Sequence, residues 1–336
     1  MTAIDLRTRY LELDLPHPVV ASASPLTRSV EGICQLADAG AAAVVMASIY
    51  EEQIVAAELA ELALLEADGG THPEASGGFF PATVTERSVL DQRLETLRRA
   101  AERAGIPVIA SLNGVSRAGW TDFAGQLEQA GAAAIELNVF RIPADLSEDG
   151  PHIDRECVEV LRAVKASVGI PVSVKLSPFH SSTGHFALQL VQAGADGLAL
   201  FNRFYEPDID LATLRPQPDF DLSTPADMRL GLTWMSLLHG HLGHTSLAAT
   251  SGVWSGDDVV KYLLTGADVV MSTSALLRHG PQHVGVLVDG LRDWMERHGI
   301  ATLDALRGRL SAAQRGGDPG AFLREQYRAI TTSRRL

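Results

Sequence analysis

The sequence predicts an α/β protein folded as a (β/α)8 barrel, and two observations carry this prediction. An amphipathic helical stretch, a glycine-containing turn and a short apolar run recur in this order, covering residues 36–48, 102–113, 127–138, 168–177, 190–202 and 263–274. Two further apolar runs, 17–24 and 244–252, bring the predicted strands to eight. Eight parallel strands joined by helices close into a barrel in a chain of 336 residues. The competing arrangement of the same elements is an open, doubly wound sheet.

The individual elements follow from local signals. The apolar runs are continuous rather than alternating, which is typical of parallel strands buried on both faces. The helices before them are predicted to end in a left-handed glycine. These glycines are Gly40, Gly105, Gly131, Gly169, Gly194 and Gly266.

The remaining segments complete a barrel domain that spans residues 1–300. Residues 1–16 are predicted to form a hairpin that caps one end of the barrel. Long connections follow the second and sixth strands, at 50–90 and 203–230, and we expect both to lie over the catalytic face as lids. Residues 301–336 are predicted to form a C-terminal helical extension.

Composition narrows the functional class. The chain has 28 Lys and Arg against 41 Asp and Glu, for a net charge of −13. This charge disfavours nucleic acid and anionic membranes as main partners. Two cysteines are too few for an iron–sulfur cluster or a disulfide scaffold, and no apolar run is long enough to span a bilayer. We therefore expect a cytoplasmic protein without a signal peptide that acts on a small molecule. We also expect it to form a homo-oligomer.

In a barrel, chemistry belongs to the C-terminal ends of the strands. Small polar residues and amides predominate at these positions, and they include one lysine. The strand-end residues are Ala21, Ser22, Ser48, Asn113, Glu136, Asn138, Lys175, Ser177, Asn202, Arg203, Ser251, Gly252, Thr273 and Ser274. Such a lining suits a flat ligand rich in nitrogen and oxygen better than it suits a metal. We therefore predict no metal site.

The turns after the last two strands have the composition of a phosphate site. Ser251-Gly252 and Thr273-Ser274 would present backbone N–H groups where barrels of this class hold phosphate. The alternative is that these residues only cap the following helices.

Lys175 has two functional interpretations. It is either a cation beside a cofactor that gains negative charge, or a Schiff-base amine such as barrel aldolases use. A lysine that merely extends past the strand end into solvent is the third alternative.

The motifs together resemble a known family. The segments HPVVASASP, PVIASLNG, ELN, PVSVKLSP, SGVWSGDDVVKYLLTGAD and STSALLRHGP resemble, in order and over residues 5–295, the dihydroorotate dehydrogenases, which are FMN-containing (β/α)8 barrels. The resemblance implies that Ala21 and Ser22 lie against the flavin ring, and that Asn113 and Asn138 reach its polar edge. It places Lys175 near N1 and O2, where it would tune the flavin, and Asn202 against the substrate. It assigns the phosphate to Ser251, Gly252, Thr273 and Ser274.

The chain also departs from that family where the substrate binds. The family places a Cys or Ser base after the fourth strand, whereas this chain has Phe140 and Arg141. The lysine that ends the family's second strand is replaced by Ala47 and Ser48. The general base is therefore not identified, and Arg141 and Arg203 are candidates for pairing with a substrate carboxylate.

Three hypotheses follow. The first is an FMN-dependent oxidoreductase that takes hydride from a small, carboxylated substrate such as dihydroorotate. The second is a non-catalytic flavin subunit of a larger redox complex. The third is a barrel lyase that uses Lys175 as a Schiff-base amine. The chain has no GxGxxG motif, so NAD(P)H would require a partner subunit.

Overall fold

A computed structural model describes residues 4–54, 56, 88–113, 117–139, 142, 144–203, 208–217, 221–315 and 318–332. The described chain begins with an antiparallel hairpin of β1 (Thr8–Tyr10) and β2 (Leu13–Leu15). The barrel strands follow: β3 (Val19–Ala21), β4 (Val44–Val45), β5 (Ile49–Tyr50), β6 (Val108–Asn113), β7 (Ala134–Asn138), β8 (Val172–Leu176), β9 (Gly197–Leu200), β12 (Ser246–Ala249) and β13 (Val269–Ser272). Between β9 and β12 lies a second antiparallel hairpin, β10 (Asp208–Asp210) and β11 (Arg215–Gln217).

The parallel strands close into a barrel, which confirms the predicted fold. Their order is β4-β3-β13-β12-β9-β8-β7-β6-β5, and a further pairing of β4 with β6 closes the ring. The predicted second strand is divided into β4 and β5. Its backbone leaves the ladder between them because the N–H of Ala47 donates to the carbonyl of Thr27 instead of to a neighbouring strand.

Helices surround the barrel and end the chain: α1 (Val30–Asp38), α2 (Val89–Arg103), α3 (Arg117–Gln129), α4 (Gly150–Ser167), α5 (Thr183–Gln192), α6 (Met228–Leu238), α7 (Gly256–Thr265), α8 (Ser274–His279), α9 (His283–Arg297), α10 (Leu303–Leu306), α11 (Ala312–Arg315) and α12 (Pro319–Thr332). None of the described helices is long and apolar enough to cross a membrane. The division into a 1–300 domain and a 301–336 extension stays a prediction.

The N-terminal hairpin caps the barrel, as predicted. Tyr10, Leu11 and Leu15 are buried against the inward-facing residues at the N-terminal ends of the strands. The outward-facing strand residues pack with the helices in a second, larger core. Among the described residues, the lower part of the barrel is therefore filled mainly with apolar side chains, and most polar ones lie in its upper part.

Five of the six predicted helix-ending glycines have positive φ: Gly40, Gly105, Gly131, Gly194 and Gly266. The prediction for Gly169 is wrong. Helix α4 ends at Ser167, the backbone of Val168 after it is extended, and the N–H of Gly169 donates to Oε1 of Glu128. No left-handed residue is required there because the chain leaves the helix directly in extended conformation.

The two long connections follow strand ends, as predicted. Most of 50–90 lies outside the described residues, so its role as a lid stays a prediction. In 203–230, the hairpin of β10 and β11 is exposed, with Ile209, Leu211 and Leu214 facing solvent. A short 3-10 turn, Pro225–Asp227, then leads into α6.

Candidate active site at the barrel mouth

A buried ion pair lies inside the barrel, below its C-terminal mouth. Lys175 on β8 places Nζ 3.4 Å from Oε1 of Glu136 on β7 and 3.4 Å from Oγ of Ser22, which follows β3. The Lys175 side chain is 10% exposed and that of Glu136 is 1% exposed. The strand that carries Lys175 therefore directs a cation inward, which disfavours the alternative of a lysine extending into solvent.

Glu136 is more deeply buried than its partner. Its Oε2 atom has no hydrogen-bond partner among the described residues. The hairpin residue Tyr10 lies below it: burial raises the pKa of the Tyr10 hydroxyl, and the negative charge of Glu136 raises it further. The buried carboxylate of Glu136 therefore acts electrostatically on another interior group, the Tyr10 hydroxyl.

Amides line the mouth above this pair. The Nδ2 group of Asn202, after β9, donates to Oδ1 of Asn138 on β7 at 2.6 Å. Asn113 is buried at the end of β6. Next to it, the hydroxyls of Ser48 and Ser111 lie 2.8 Å apart. The structure therefore brings the three predicted asparagines to one end of the barrel.

The turn after β12 has a constrained backbone. Ser251 and Gly252 have φ values of 75° and 72°. A Cβ at Gly252 would lie 2.6 Å from both Met228 Cγ and the carbonyl oxygen of Thr224, so only glycine fits. The hydroxyl of Tyr262 donates to the carbonyls of Thr250 (2.8 Å) and Ser251 (3.1 Å), which fixes the turn from below. Burial, then the charge of Asp258, raises the pKa of Tyr262, so its hydroxyl stays a donor.

Ser223 joins this turn to the first residue of α8, just after β13, and it was not predicted from the sequence. Its Oγ accepts from the N–H of Gly252 at 3.1 Å and lies 2.8 Å from Oγ of Ser274. Its own N–H donates to Ser274 Oγ at 3.0 Å. We call Ser223, Gly252 and Ser274 the serine cradle. The sequence signal that could have found Ser223 is the Ser-Thr-Pro-Ala-Asp run that opens the turn before α6, on the catalytic face.

Other predicted site residues are placed as follows. Ala21 packs in the outer core, and its N–H is bound to Ala43, so its side chain points away from the mouth. Thr273, half-buried, directly precedes α8. The guanidinium of Arg203 faces Asp227 Oδ2 at 3.6 Å. Arg141 lies outside the described residues, as does Phe140. The roles assigned to all of these residues stay predictions.

The described histidines do not come together in a metal site. His180 follows β8, and its Nδ1 lies 2.9 Å from Oδ1 of Asp154, a carboxylate partner that the sequence did not reveal. Its ring stacks on Phe186 of α5, so it lies against the helical layer. Within the described ranges, no group of three or more His, Cys, Asp or Glu is arranged to hold a metal ion.

Comparison with known proteins decides the family. The sequence model of the dihydroorotate dehydrogenase family matches residues 86–295, which is more than half of the chain. The chain belongs to the dihydroorotate dehydrogenase family. This confirms the resemblance seen in the motifs, and it makes the chain a divergent member of a family of oxidoreductases.

Individual relatives are distant and carry two kinds of name. The chain is 27% identical to a putative dihydroorotate dehydrogenase A (fumarate) of Aeropyrum pernix, over 69% of the chain and 77% of that protein. It is 25% identical to the chloroplastic dihydropyrimidine dehydrogenase (NADP(+)) of Arabidopsis thaliana, over 66% of the chain but only 57% of that protein. It is also 25% identical to the NAD-dependent dihydropyrimidine dehydrogenase subunit PreA of Escherichia coli, over 92% of the chain and 77% of that protein.

Proposed function

We propose that the chain is an FMN-dependent oxidoreductase that accepts hydride from a small, carboxylated molecule at the barrel mouth. The observation that carries this proposal is the serine cradle between the ends of β12 and β13, with the inward-facing cation of Lys175 elsewhere at the same end of the barrel. A phosphate-bearing flavin requires both features: donors for the phosphate and a positive charge for its electron-rich edge.

The residues present fit this group. The N–H groups of Gly252 and Ser223 donate to the two hydroxyls of the cradle and hold them in place. Because the hydroxyls share one bond with each other, the cradle offers a hydroxyl proton to a ligand, and it contains no carboxylate, which suits an anion such as phosphate. The backbone at Gly252 is so close to Met228 and Thr224 that no Cβ fits there. The fit is supported independently at Lys175, whose ammonium is held inside the barrel by Ser22 and Glu136.

The roles of individual residues follow from these positions. Ser223, Gly252, Thr273 and Ser274 would hold the phosphate, with Ser251 shaping the turn through its positive φ. Asn113 and Asn138 would donate to the polar edge of the ring, and Ser22 would lie beneath it. When bound, FMN supplies the hydride acceptor that the side chains of this chain lack.

Lys175 serves as a fixed electrostatic group. A cation held in a water-poor interior interacts more strongly with developing negative charge than a solvated one does, and it needs no reorganisation during the reaction. The pairing with Glu136 stabilises the charged ammonium, whereas a Schiff base requires the neutral amine. The ion pair therefore argues against the lyase hypothesis.

The substrate class is proposed from the relatives and from two side chains. The relatives are named for dihydroorotate and for dihydropyrimidine, so we propose a pyrimidine-like molecule, with dihydroorotate as one candidate. Asn202, already bound to Asn138, is positioned to contact it at the mouth. Arg203 would bind a substrate carboxylate by exchanging its contact with Asp227.

A flavin subunit that only passes electrons on is the second candidate. It is favoured by the replacement of the family's base position with Phe140 and Arg141. Some relatives are named as subunits. One is the dihydropyrimidine dehydrogenase subunit PreA of Escherichia coli, and another is the dihydroorotate dehydrogenase B (NAD(+)) catalytic subunit of Methanothermobacter thermautotrophicus. A redox partner subunit, as well as a homo-oligomer, is therefore part of this proposal.

The absorption spectrum of the purified protein tests the cofactor. We expect a yellow protein that releases one FMN per chain, and no FAD, on denaturation. A preparation that is colourless and stays so after FMN is added would overturn the proposal. Borohydride trapping of a carbonyl compound on Lys175 would decide for the lyase.

A further inference from the structure

Glu136 has no role in the proposed reaction, yet its carboxylate is placed inside the barrel at high cost. Its side chain is 1% exposed, Oε1 faces Lys175 Nζ at 3.4 Å, and Oε2 has no hydrogen-bond partner within the described chain. Burial of a charged group with one oxygen unsatisfied is energetically unfavourable. Packing alone does not explain it, since an apolar side chain of similar volume would fill the same space without this cost.

The position of Glu136 limits what it can do. It lies one inward-facing position below Asn138 on β7, whereas Lys175 pairs with Asn138 in the register of β7 and β8. The carboxylate thus lies beneath the ammonium, and Ser22 contacts the same ammonium from β3. A group in this place does not touch a ligand in the mouth, but its charge acts on Lys175 and on any ligand that Lys175 contacts.

We infer that Glu136 is a positioning residue that holds the Lys175 ammonium against Ser22 and offsets its charge, thereby setting how much more tightly the site binds reduced than oxidised flavin. This inference rests on the proposed function. Lys175 alone would favour the more negative, reduced form strongly. The carboxylate below it weakens this preference, so that electrons taken up by the flavin can be passed on.

Two substitutions of the pair should act in opposite directions. Glu136→Gln keeps the shape and removes the negative charge, so we expect the ratio of reduced to oxidised FMN affinity to increase by about tenfold. Lys175→Met should decrease the same ratio by about tenfold or more. A tenfold change corresponds to about 30 mV in the two-electron potential. The double variant K175M/E136Q removes both charges and should return the ratio close to that of the unsubstituted protein.

The experiment measures FMN dissociation constants under oxidising and reducing conditions for each variant. Glu102→Gln, which removes an exposed carboxylate at the end of α2, is the matched control and should leave the ratio unchanged. A merely structural role of Glu136 would weaken both affinities equally and would not move their ratio.

The outcomes separate this inference from the proposed function. If the unsubstituted protein binds no FMN, both fail. If it binds FMN but Glu136→Gln leaves the ratio unchanged or decreases it, only the role of Glu136 is overturned. Should Glu136→Gln not fold, the double variant still decides, because a ratio as low as that of Lys175→Met would show that the carboxylate has no influence.

Discussion

The hydroxyl of Ser223 lies 2.8 Å from that of Ser274, although the two residues are 51 positions apart. This contact joins the segment before α6 to the start of α8, and the N–H of Gly252 donates to the same Ser223 oxygen. Three separate barrel loops therefore meet at one point.

Removal of the Ser223 hydroxyl should weaken FMN binding. In Ser223→Ala, the N–H of Gly252 loses its acceptor and the cradle loses a donor, so we expect about a tenfold or larger increase in the FMN dissociation constant. Quenching of flavin fluorescence on titration measures it. Ser236→Ala removes a hydroxyl that donates to the carbonyl of Leu310, remote from the mouth, and serves as the control. Equal affinities of both variants would contradict the phosphate assignment.

Gly252→Ala should impair both folding stability and FMN binding. Its φ of 72° is unfavourable for alanine, and the new Cβ would overlap Met228 and Thr224. We expect a loss of about 1–3 kcal/mol in the free energy of unfolding. The contrasting variant is Gly285→Ala in α9, where a Cβ meets no atom within 4 Å. It should stabilise the helix by up to about 1 kcal/mol. Urea denaturation distinguishes the two, and similar effects would refute the packing described for Gly252.

Substitutions of Lys175 and Glu136 should have non-additive effects on the free energy of unfolding, even without any cofactor. Lys175→Met leaves Glu136 as a buried charge without its cation, and we expect it to lower the free energy of unfolding by about 3–5 kcal/mol. K175M/E136Q should recover most of this loss, because no uncompensated charge remains. Denaturation of the flavin-free proteins measures the coupling. A double variant as unstable as Lys175→Met would show that the two groups do not interact.

Dihydroorotate, if it is oxidised, should be oxidised slowly. A positioned general base contributes about 10² to 10⁴-fold, and the family's base position carries Phe140 and Arg141. Arginine has no lone pair to accept a proton. The hydroxyls of Ser48 and Ser111, at the same end of the barrel, bind each other. Anaerobic mixing with dihydroorotate measures the rate of flavin bleaching, and a rate above about 1 per second would show that another base acts.

The free energy of unfolding should decrease as the pH falls below about 6.5, and His17 should contribute to this decrease. Burial lowers the pKa of this histidine. Its Nε2 donates to the carbonyl of Gly40 and its Nδ1 accepts from Val19, so the neutral ring is required. The folded state binds fewer protons than the unfolded state between the lowered pKa and about 6.5. The free energy of unfolding therefore rises with pH across this window, by at most about 1.4 kcal/mol per unit.

His17→Gln tests this dependence, because an amide can donate to Gly40 and accept from Val19 without titrating. Denaturation between pH 5 and 7 should show a smaller slope than in the unsubstituted protein. The exposed His244→Gln is the control. Identical slopes for both variants would exclude a contribution from His17.

The fold was accessible from the sequence because its signals are local. The hairpin that contains Tyr10, the apolar runs and five helix-ending glycines each depend on a few neighbouring residues. The prediction for Gly169 was wrong because the preceding Val168 is extended. This conformation is accompanied by a contact from another helix, in which Glu128 accepts from the Gly169 N–H. The position of Lys175 at a strand end was predictable, but its partner was not.

By itself, the sequence determined the barrel, the family and the strand ends at which polar groups collect, because strand alternation and turn composition are short-range properties. Only the tertiary structure decided which of those groups meet. The pairing of Lys175 with Glu136 depends on the register between β7 and β8, and the contact of Ser223 with Ser274 depends on how the loop after β9 packs over the end of β13. Contacts of this kind are fixed by closure of the barrel, which brings distant strands to one mouth.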